Sequence, residues 1–473
     1  MIDEELAYMP ATEMRRLIVD KQVSPVEVTE LYLRRIERLD PQLNSFLTVS
    51  ADEAMRSARV AEQAVVSGES LGLLHGLPVS IKDLEMTRGM RTTGGSLIFK
   101  DRVPDEDSIV VERVRNAGAV ILGKTNTPEF GLLGRTENRL GGPCRNPWNL
   151  ARTSGGSSGG AAAAIAAGLC VLATGSDGGG SIRIPSSFCG IYGIKPTQGR
   201  VPHYSGGAAP VVTNLFSQSG PMTRTVRDSA LLLQVLAGPD SRDRGSFRNV
   251  PDNYLAAVDR GVKGLRIAWS PDFGYASIDP EVHEVVESAA RSFQDLGCLV
   301  DEIELKLDAP FDAFWELFCS ISSARYPNVL DQHSEELTDY GRETFERGAR
   351  STGADFARSL GRVDLLKAQF AEVYERYDLI LTPTLAVTAF PHGKPPGEIG
   401  GHQVHCFWGY LPHTYPINMI GYPAASIPCG FSAERLPIGL HIVGRKGDEA
   451  TVIAASAAFE EAQPWIKYRP SVE

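Results

Sequence analysis

Residues 171–185 read Val-Leu-Ala-Thr-Gly-Ser-Asp-Gly-Gly-Gly-Ser-Ile-Arg-Ile-Pro, a short apolar run that leads into a glycine-rich loop. The run Val171–Thr174 predicts a buried strand. Three consecutive glycines before Ser181 allow backbone conformations that other residues avoid, so several N–H groups can face one oxygen atom. Such a loop is typical of an oxyanion hole with the serine at its edge as the nucleophile. A plain turn needs one or two glycines, not three followed by Ser-Ile-Arg.

Other short apolar runs repeat this pattern along the chain. Helical stretches, such as Ser108–Ala117 and Pro280–Leu296, lie between several of them. Buried strands that alternate with helices predict an α/β fold with a large, mainly covered sheet. The predicted strands are Leu77–Ile81, Ala119–Leu122, Val171–Thr174, Leu265–Trp269, Leu379–Leu381 and Ile438–Val443.

Two segments stand apart from this alternation. Residues 1–70 are predicted to be helical, and Ser24-Pro-Val-Glu27 forms a capping box with proline at the first helical position. Residues 389–416 are irregular and rich in Gly, Pro, His and aromatic residues, which is typical of a substrate lid or binding loop. The length allows about three domains, but no repeat of fixed period and no low-complexity linker divides the chain, which is compatible with a single large domain over residues 1–473.

The overall charge and the cysteine pattern exclude several classes of protein. The chain has 47 Lys and Arg against 58 Asp and Glu, a net charge of −11, whereas nucleic acids and anionic membranes require a basic patch. No apolar run approaches about 18 residues, so no membrane span is predicted. Seven single cysteines without a C-x-x-C pair argue against a disulfide framework or a structural zinc site. The unpaired cysteines and an N-terminus without the features of a signal peptide together predict a cytoplasmic protein.

Residues 118–125, Gly-Ala-Val-Ile-Leu-Gly-Lys-Thr, match the G-x4-G-K-T pattern of a phosphate-binding loop. A nucleotide-binding protein is therefore an alternative from a different functional class. However, the four residues after Gly118 are themselves apolar and β-prone, and the motif follows a helix rather than a strand. The sequence favours a plain strand that ends at Leu122.

Residues 155–159, Gly-Gly-Ser-Ser-Gly, match the G-x-S-x-G pattern of a nucleophile elbow, which needs a buried strand immediately before it. The preceding residues 145–154 are polar and turn-like. The following residues 161–167 form a strong helix-forming run of alanine and isoleucine. A Gly/Ser loop that leads into such a helix brings backbone donors to one point, so it indicates a site without being an elbow.

A nucleophilic serine needs a base, and histidine is the usual one. Of the nine histidines only His203 lies near these motifs, and it is a weak candidate. Lys82 is the other available base, because it ends the predicted strand at the sheet edge where α/β sites form and because burial favours a neutral amine. His402, His405 and Cys406 offer metal ligands, but they lie in residues 389–416 without an acidic partner.

Taken together, the motifs resemble those of the amidase signature family over nearly the whole chain. The glycine-rich loop carries the resemblance, and the other blocks lie on both sides of it. The matching blocks are Gly76–Asp83, Gly123–Gly131, Gly155–Gly160, Gly175–Pro185, Gly190–Thr197, Gly220–Arg224, Asn418–Ala424 and Leu436–Gly444.

The resemblance implies a central mixed β-sheet covered by helices and a Ser-Ser-Lys triad. Ser181 is then the acylated nucleophile, Ser157 the bridging serine on a cis peptide bond, and Lys82 the general base. The oxyanion would be held by N–H groups of the loop, namely Gly178, Gly179, Gly180 and Ser181. No metal or cofactor is implied. Cys319 and Trp408 are expected to help shape the substrate pocket.

The activity implied is hydrolysis of small apolar or aryl amides, with esters and carbamates as secondary substrates. The partner is then a small-molecule amide, and a homodimer, common in the family, is one assembly that the resemblance allows. An alternative within the family is the glutaminase (A) subunit of a tRNA-dependent amidotransferase. That subfamily usually has glutamine after Ser-Ile-Arg, where this chain has Ile184.

Overall fold

The chain folds around one large sheet, which the computed structural model describes within residues 3–206, 212 and 214–472. In chain order the strands are β1 (Phe46–Val49), β2 (Pro78–Lys82), β3 (Val120–Thr125), β4 (Arg145–Asn146), β5 (Asn149–Thr153), β6 (Leu172–Asp177), β7 (Tyr192–Lys195), β8 (Gln218–Thr223), β9 (Arg266–Trp269), β10 (Leu299–Glu302), β11 (Leu379–Pro383), β12 (Glu398–Ile399), β13 (His402–Gln403), β14 (Ala424–Phe431) and β15 (Pro437–Gly444).

The sheet is mixed, as the sequence predicts. Within the described residues it contains eleven strands in the order β1-β3-β2-β6-β8-β7-β14-β15-β11-β9-β10. The pairs β2–β3, β2–β6, β9–β10 and β9–β11 are parallel, and the other pairs are antiparallel. Because β2 and β6 are parallel neighbours, their carboxyl ends meet at the same edge of the sheet. Strands β4–β5 and β12–β13 form two separate two-stranded ribbons.

Helices pack against this sheet and complete the α/β fold. None of the helices in the described ranges is long and apolar enough to cross a membrane. The helices are α1 (Asp3–Ala7), α2 (Ala11–Val19), α3 (Pro25–Leu43), α4 (Ala51–Ser67), α5 (Ile109–Asn116), α6 (Gly159–Ala166), α7 (Arg183–Cys189), α8 (Val226–Leu236), α9 (Tyr254–Ala257), α10 (Pro280–Ser292), α11 (Phe311–Arg325), α12 (Val329–His333), α13 (Asp339–Arg350), α14 (Gly353–Tyr374), α15 (Tyr415–Ile420) and α16 (Glu449–Ala462). Short 3-10 turns lie at Leu97–Phe99, Glu129–Gly131 and Ser334–Glu336.

All six strands predicted from apolar runs are present, with ends that move by up to three residues. The largest shifts, of three residues each, are at the carboxyl ends of β3 and β6. Strand β3 continues through Gly123, Lys124 and Thr125 instead of ending at Leu122. The G-x4-G-K-T motif is therefore part of a buried strand of the central sheet, paired with β1 and β2. Its backbone N–H groups take part in sheet ladders and do not form a phosphate-binding loop.

The prediction that residues 1–70 are entirely helical is wrong at one place. The capping box at Ser24 and Glu27 starts α3 as expected, and Asn44 ends that helix in a left-handed conformation (φ 53°). The chain then turns onto the edge of the sheet, where β1 pairs antiparallel with β3 and Phe46 is buried. Tertiary pairing therefore places a strand within a region of helical periodicity.

Helix α6 approaches other backbone segments closely, and this explains its small residues. Gly160, in its first turn, donates its N–H to the carbonyl of Asn126 (3.1 Å). A Cβ atom at this position would lie 2.3 Å from Asn126 N and 2.4 Å from the carbonyl oxygen of Ser45. Both contacts are with backbone atoms, so they cannot be relieved by a side-chain rotation.

We expect Gly160→Ala to lower the thermal unfolding midpoint, because an added methyl group in a filled space costs about 1–3 kcal/mol. Gly361→Ala in α14 is the matched control, since nothing lies within 4 Å of the added Cβ. Alanine at that helical position should leave the midpoint unchanged or raise it. Equal midpoints for the two variants would contradict the close packing of α6.

Candidate active site

Lys82 lies at the carboxyl end of β2 and is fully buried. Its Nζ atom is 2.7 Å from Ser157 Oγ. The same amine is 3.0 Å from Ser176 Oγ and 3.2 Å from the Ser176 carbonyl oxygen, both of which belong to the neighbouring strand β6. Three oxygen atoms therefore hold the amine beside the Ser157 hydroxyl.

Burial lowers the pKa of Lys82 to about 7, because desolvation disfavours the ammonium form. The negative charges of Asp177 and Glu85 act in the opposite direction but do not cancel this effect. A substantial fraction of Lys82 is therefore neutral at neutral pH. A neutral amine can accept a proton, which an ammonium group cannot.

Ser157 lies in the Gly/Ser loop between β5 and α6, and the Gly156–Ser157 peptide bond is cis. The next residue fastens this loop to the glycine-rich loop, since Ser158 donates its N–H to the Ser181 carbonyl (3.1 Å). The Ser158 hydroxyl lies 3.3 Å from both N and O of Ser176. The preceding residues, expected to be turn-like, form the partly exposed strand β5.

The Asp177 carboxylate shapes the glycine-rich loop. It accepts N–H bonds from Gly180 (2.7 Å), Ile182 (3.1 Å) and Arg183 (3.4 Å), and thereby curls the chain around Ser181. Gly180 has φ 128°, and a Cβ there would lie 2.5 Å from Thr414 Oγ1, so only glycine fits.

The N–H groups of this loop are not equivalent. The Gly180 N–H is used by Asp177, which differs from the expectation that it faces the oxyanion. By contrast, the N–H groups of Gly178, Gly179 and Ser181 have no acceptor among the described residues. Three backbone donors therefore remain unused beside the predicted nucleophile.

A buried polar network holds Asp177 in place. The Arg183 guanidinium donates to both carboxylate oxygens of Asp177 (2.9 Å each), and Asn418 Nδ2 donates to Oδ1 (2.8 Å). Arg183 also donates to Asn418 Oδ1 (2.6 Å) and to His441 Nε2 (2.9 Å). Burial acts to raise the pKa of Asp177, but the charge and hydrogen bonds of Arg183 outweigh it and hold that pKa well below its usual value. Asp177 is therefore ionised.

The two serines open onto one cavity of about 110 Å³. Ser157, Ser176, Gly178, Gly179 and Ser181 form its polar side, and Ser181 is 9% exposed. Nine apolar or aromatic side chains also line it: Leu84, Phe130, Leu132, Leu215, Phe216, Phe318, Ile321, Tyr326 and Trp408. The structure thus brings the Lys82 amine into contact with Ser157, and it places Ser157 and Ser181 on one cavity that is also lined by five aromatic side chains.

Several other candidates lie elsewhere. Lys124 is buried, and its Nζ donates to Thr87 Oγ1 (2.8 Å), Thr92 Oγ1 (2.9 Å) and the Glu85 carbonyl, so its role is to anchor a loop. His203 is exposed and does not line the cavity. Among the described residues no group of three His, Cys, Asp or Glu side chains is arranged to hold a metal ion.

Of the two residues expected to shape the pocket, only Trp408 lines the cavity. Trp408 lines the cavity and packs on Phe314 and Phe318, whereas Cys319 is buried in α11 away from it. Trp408 is the residue through which the irregular segment 389–416 reaches the cavity. Motion of that segment as a lid stays a prediction.

Some site residues escape the sequence analysis. Asp177 and Arg183 lie in the glycine-rich loop and Asn418 lies in the segment Asn418–Ala424, but nothing in the sequence indicates that they contact each other. Phe318, Ile321, Ser322 and Arg325 share one face of α11. Their helical spacing predicts an amphipathic face, although it does not tell what that face covers.

Comparison with known proteins places the whole chain among amidases. A family model described as Amidase matches residues 27–453. An acylamidase from Rhodococcus erythropolis is 37% identical over 484 residues, with 100% of this chain and 99% of the relative covered. A glutamyl-tRNA(Gln) amidotransferase subunit from Moorella thermoacetica is 38% identical, with 99% of each chain covered. The crystal structure of a bacterial aryl acylamidase of the amidase signature enzymes superimposes with a TM-score of 0.91 at 33% identity, over 97% of both chains.

We expect Asp177→Asn to lower the free energy of unfolding by about 3–5 kcal/mol, because it leaves the buried Arg183 guanidinium without its counter-charge. Asp364→Asn, which removes one partner of an exposed ion pair with Lys367, is the control and should change the free energy by less than about 1 kcal/mol. Chemical denaturation of both variants measures the difference. A loss no larger for Asp177 than for Asp364 would contradict the role of the network.

Proposed function

The chain belongs to the amidase signature family and is an amide-hydrolysing enzyme, and from this premise we propose that Lys82, Ser157 and Ser181 carry out the reaction through a covalent acyl-enzyme. The observation that carries the proposal is the 2.7 Å contact between the buried Lys82 amine and Ser157 Oγ. Ser157 and Ser181 line the same cavity, which supports a relay from the amine to the nucleophile through the bridging serine.

The first half of the reaction forms the acyl-enzyme. Neutral Lys82 takes the proton of the Ser157 hydroxyl while Ser157 takes the proton of Ser181, so the Ser181 oxygen attacks the carbonyl carbon of the amide. The carbonyl oxygen becomes an oxyanion. When the tetrahedral intermediate collapses, the carbon–nitrogen bond breaks and the relay runs backwards. The nitrogen then leaves as a neutral amine and Lys82 is neutral again.

The second half releases the acid. A water molecule takes the place of the amine, gives its proton to the relay, and attacks the ester carbon of acylated Ser181. Collapse of the second tetrahedral intermediate returns the proton to Ser181 and frees the carboxylic acid. Each step of this proposed route uses side chains and backbone groups of this chain.

The unused N–H groups of Gly178, Gly179 and Ser181 are the proposed oxyanion donors. Gly180 is excluded because its N–H already binds Asp177. Donors of this kind contribute about 2.7–4 kcal/mol each to transition-state stabilisation in enzymes of similar chemistry. The loop is fixed by the Asp177 hydrogen bonds before substrate arrives, so its dipoles need little reorganisation.

The aromatic wall of the cavity supports small apolar or aryl amides as substrates. Phe130, Phe318, Tyr326 and Trp408 surround the space in front of the serines, and a substrate ring can stack against them or meet their edges. Esters and carbamates of similar shape form acyl-enzymes of the same type, so we propose them as secondary substrates. Similarity to an acylamidase and to an aryl acylamidase structure points in the same direction.

A glutaminase subunit of an amidotransferase is the second candidate, because relatives with that name match the chain equally fully. Free glutamine carries an ammonium group that needs an acidic partner in a pocket. None of the described residues that line this cavity is Asp or Glu. Ammonia release from glutamine that appears only with a partner subunit would favour this alternative over the amidase.

Cytoplasmic localisation and a homodimer stay predictions. Size-exclusion chromatography with light scattering of the purified chain tests the second of them. A monomer at micromolar concentration would rule out a stable homodimer.

We expect Ser181→Ala to abolish release of 4-nitroaniline from 4-nitroacetanilide, because no nucleophile remains. Lys82→Ala should nearly abolish release, since the relay loses its base. Ser186→Ala is the control, because this serine is buried in α7 outside the cavity and its hydroxyl only donates to a helix carbonyl. Turnover retained by either of the first two variants would overturn the assignment, and absence of turnover in the native chain would favour the carbamate or amidotransferase alternative.

The rate should increase with pH through about 7, as Lys82 loses its proton and becomes a base. The folded-state pKa is lowered relative to free lysine, so activity is lost below this value and retained above it. We would measure kcat/KM for 4-nitroacetanilide from pH 5 to pH 9. Lys195 is also buried with its pKa lowered to about 7, so Lys195→Met serves as the control and should keep the midpoint. If Lys195→Met shifts the midpoint of the pH profile, the titrating group is Lys195 and not Lys82.

A further inference from the structure

Arg325 ends helix α11 and is half-buried at the cavity that holds Ser157 and Ser181. It is the only charged side chain among the described residues that line this cavity. Its guanidinium forms no hydrogen bond or ion pair with any residue of the described chain. A cation without a counter-charge therefore faces the space that a substrate would occupy.

The buried arginines of the described chain each have at least one hydrogen-bond acceptor. Arg35 and Arg224 donate to backbone carbonyls, and three others pair with a carboxylate. Arg183 binds Asp177, Arg200 binds Glu449 (3.2 Å) and Arg135 binds Glu137 (2.7 Å). The contrast matters because removing a guanidinium from water without a partner is costly, whereas an anion that joins it forms short, charge-assisted hydrogen bonds.

No Asp or Glu is among the described residues that line the cavity. The Glu85 carboxylate accepts a hydrogen bond from Ser219 Oγ (2.8 Å) and forms no ion pair with Arg325. The remaining cavity neighbours on α11, Phe318 and Ile321, are apolar, and Ser322 donates its hydroxyl to the Phe318 carbonyl (2.7 Å). No described residue on this side of the cavity supplies the missing negative charge.

We propose that Arg325 is a specificity-determining residue that binds an acidic group of the substrate, such as a carboxylate. The inference rests on the proposed function, and it narrows the substrate class to small aryl or apolar amides that carry an anion away from the scissile bond. The flat fork of the guanidinium matches a carboxylate with two parallel hydrogen bonds. The aromatic wall would contact the rest of the same molecule.

The test compares matched amides with and without a carboxylate. One pair, acetanilide and 4-acetamidobenzoate, places the acid on the amine side, and the other, butyranilide and N-phenylsuccinamate, places it on the acyl side. We would measure kcat/KM for both pairs with the native chain, Arg325→Gln and Arg325→Lys. Arg358→Gln, which alters an exposed arginine of α14 paired with Asp355, is the control.

Arg325→Gln should lower kcat/KM for the acidic member of at least one pair by about tenfold or more, mainly through KM, and leave its neutral member within about twofold. Arg325→Lys should lie between, because it keeps the charge without the fork. An unchanged ratio of acidic to neutral substrate in both pairs would overturn the proposal.

A binding measurement distinguishes a failure of the Arg325 proposal from a failure of the proposed hydrolytic function. Calorimetric titration of 4-acetamidobenzoate and acetanilide into the Ser181→Ala variant, with and without Arg325→Gln, does not depend on turnover. We expect tighter binding of the acid, lost on Arg325→Gln. Equal binding of the acid by both variants would refute the role of Arg325 even if amides are hydrolysed. Absence of turnover together with Arg325-dependent binding would refute the hydrolytic mechanism alone.

Discussion

Lys82 ends a strand in the interior of the sheet, where water does not reach its amine, and the chemistry of the site depends on this burial. A solvated lysine would hold its proton at neutral pH and could not activate a serine. Burial alone is not enough, because the ionised Asp177 lies near enough to favour the ammonium form of Lys82, and its negative charge has to be offset. Arg183 offsets that charge at close range, so the aspartate can shape the loop while Lys82 still loses its proton near neutral pH.

Asp177 also determines which N–H groups of the glycine-rich loop are free to bind an oxyanion. Its carboxylate collects the N–H groups of Gly180, Ile182 and Arg183, and this leaves the N–H groups of Gly178, Gly179 and Ser181 without acceptors among the described residues. Asn418 and His441, from distant parts of the chain, complete the shell around Arg183. The side chains of Asp177 and Arg183 have hydrogen-bond partners on all sides, which holds the loop rigid, and the glycines allow the backbone to come close enough. The donors are therefore preorganised before a substrate binds.

The sequence predicts the mixed α/β fold and six strands of the sheet, since apolar runs bounded by glycine and proline are strong local signals. It misses the other five described strands of the sheet, among them β8, where Gly220 and Pro221 interrupt the pattern. Pro221 lies opposite Thr174 in the ladder with β6, and it is tolerated because the ladder with β7 involves only Met222 and Thr223. The glycine-rich loop by itself points to Ser181, and the strand end makes Lys82 a candidate base, whereas the bridging role of Ser157 and the triad as a whole come from the family resemblance. Ser176, the free N–H groups and the unpaired Arg325 depend on which segments meet in space, and no local signal contains that information.

The central claim is that Ser181 carries the acyl group, and trapping of the acyl-enzyme tests it most directly. A slowly hydrolysed aryl carbamate should inactivate the chain, and peptide mass spectrometry after acid quenching should locate the carbamoyl group. We expect the label on Ser181 in the native chain, with no label and no release of the phenol in Ser181→Ala. A label on Ser157 or on a lysine while Ser181 stays unmodified, or full inactivation without a label on Ser181, would contradict it.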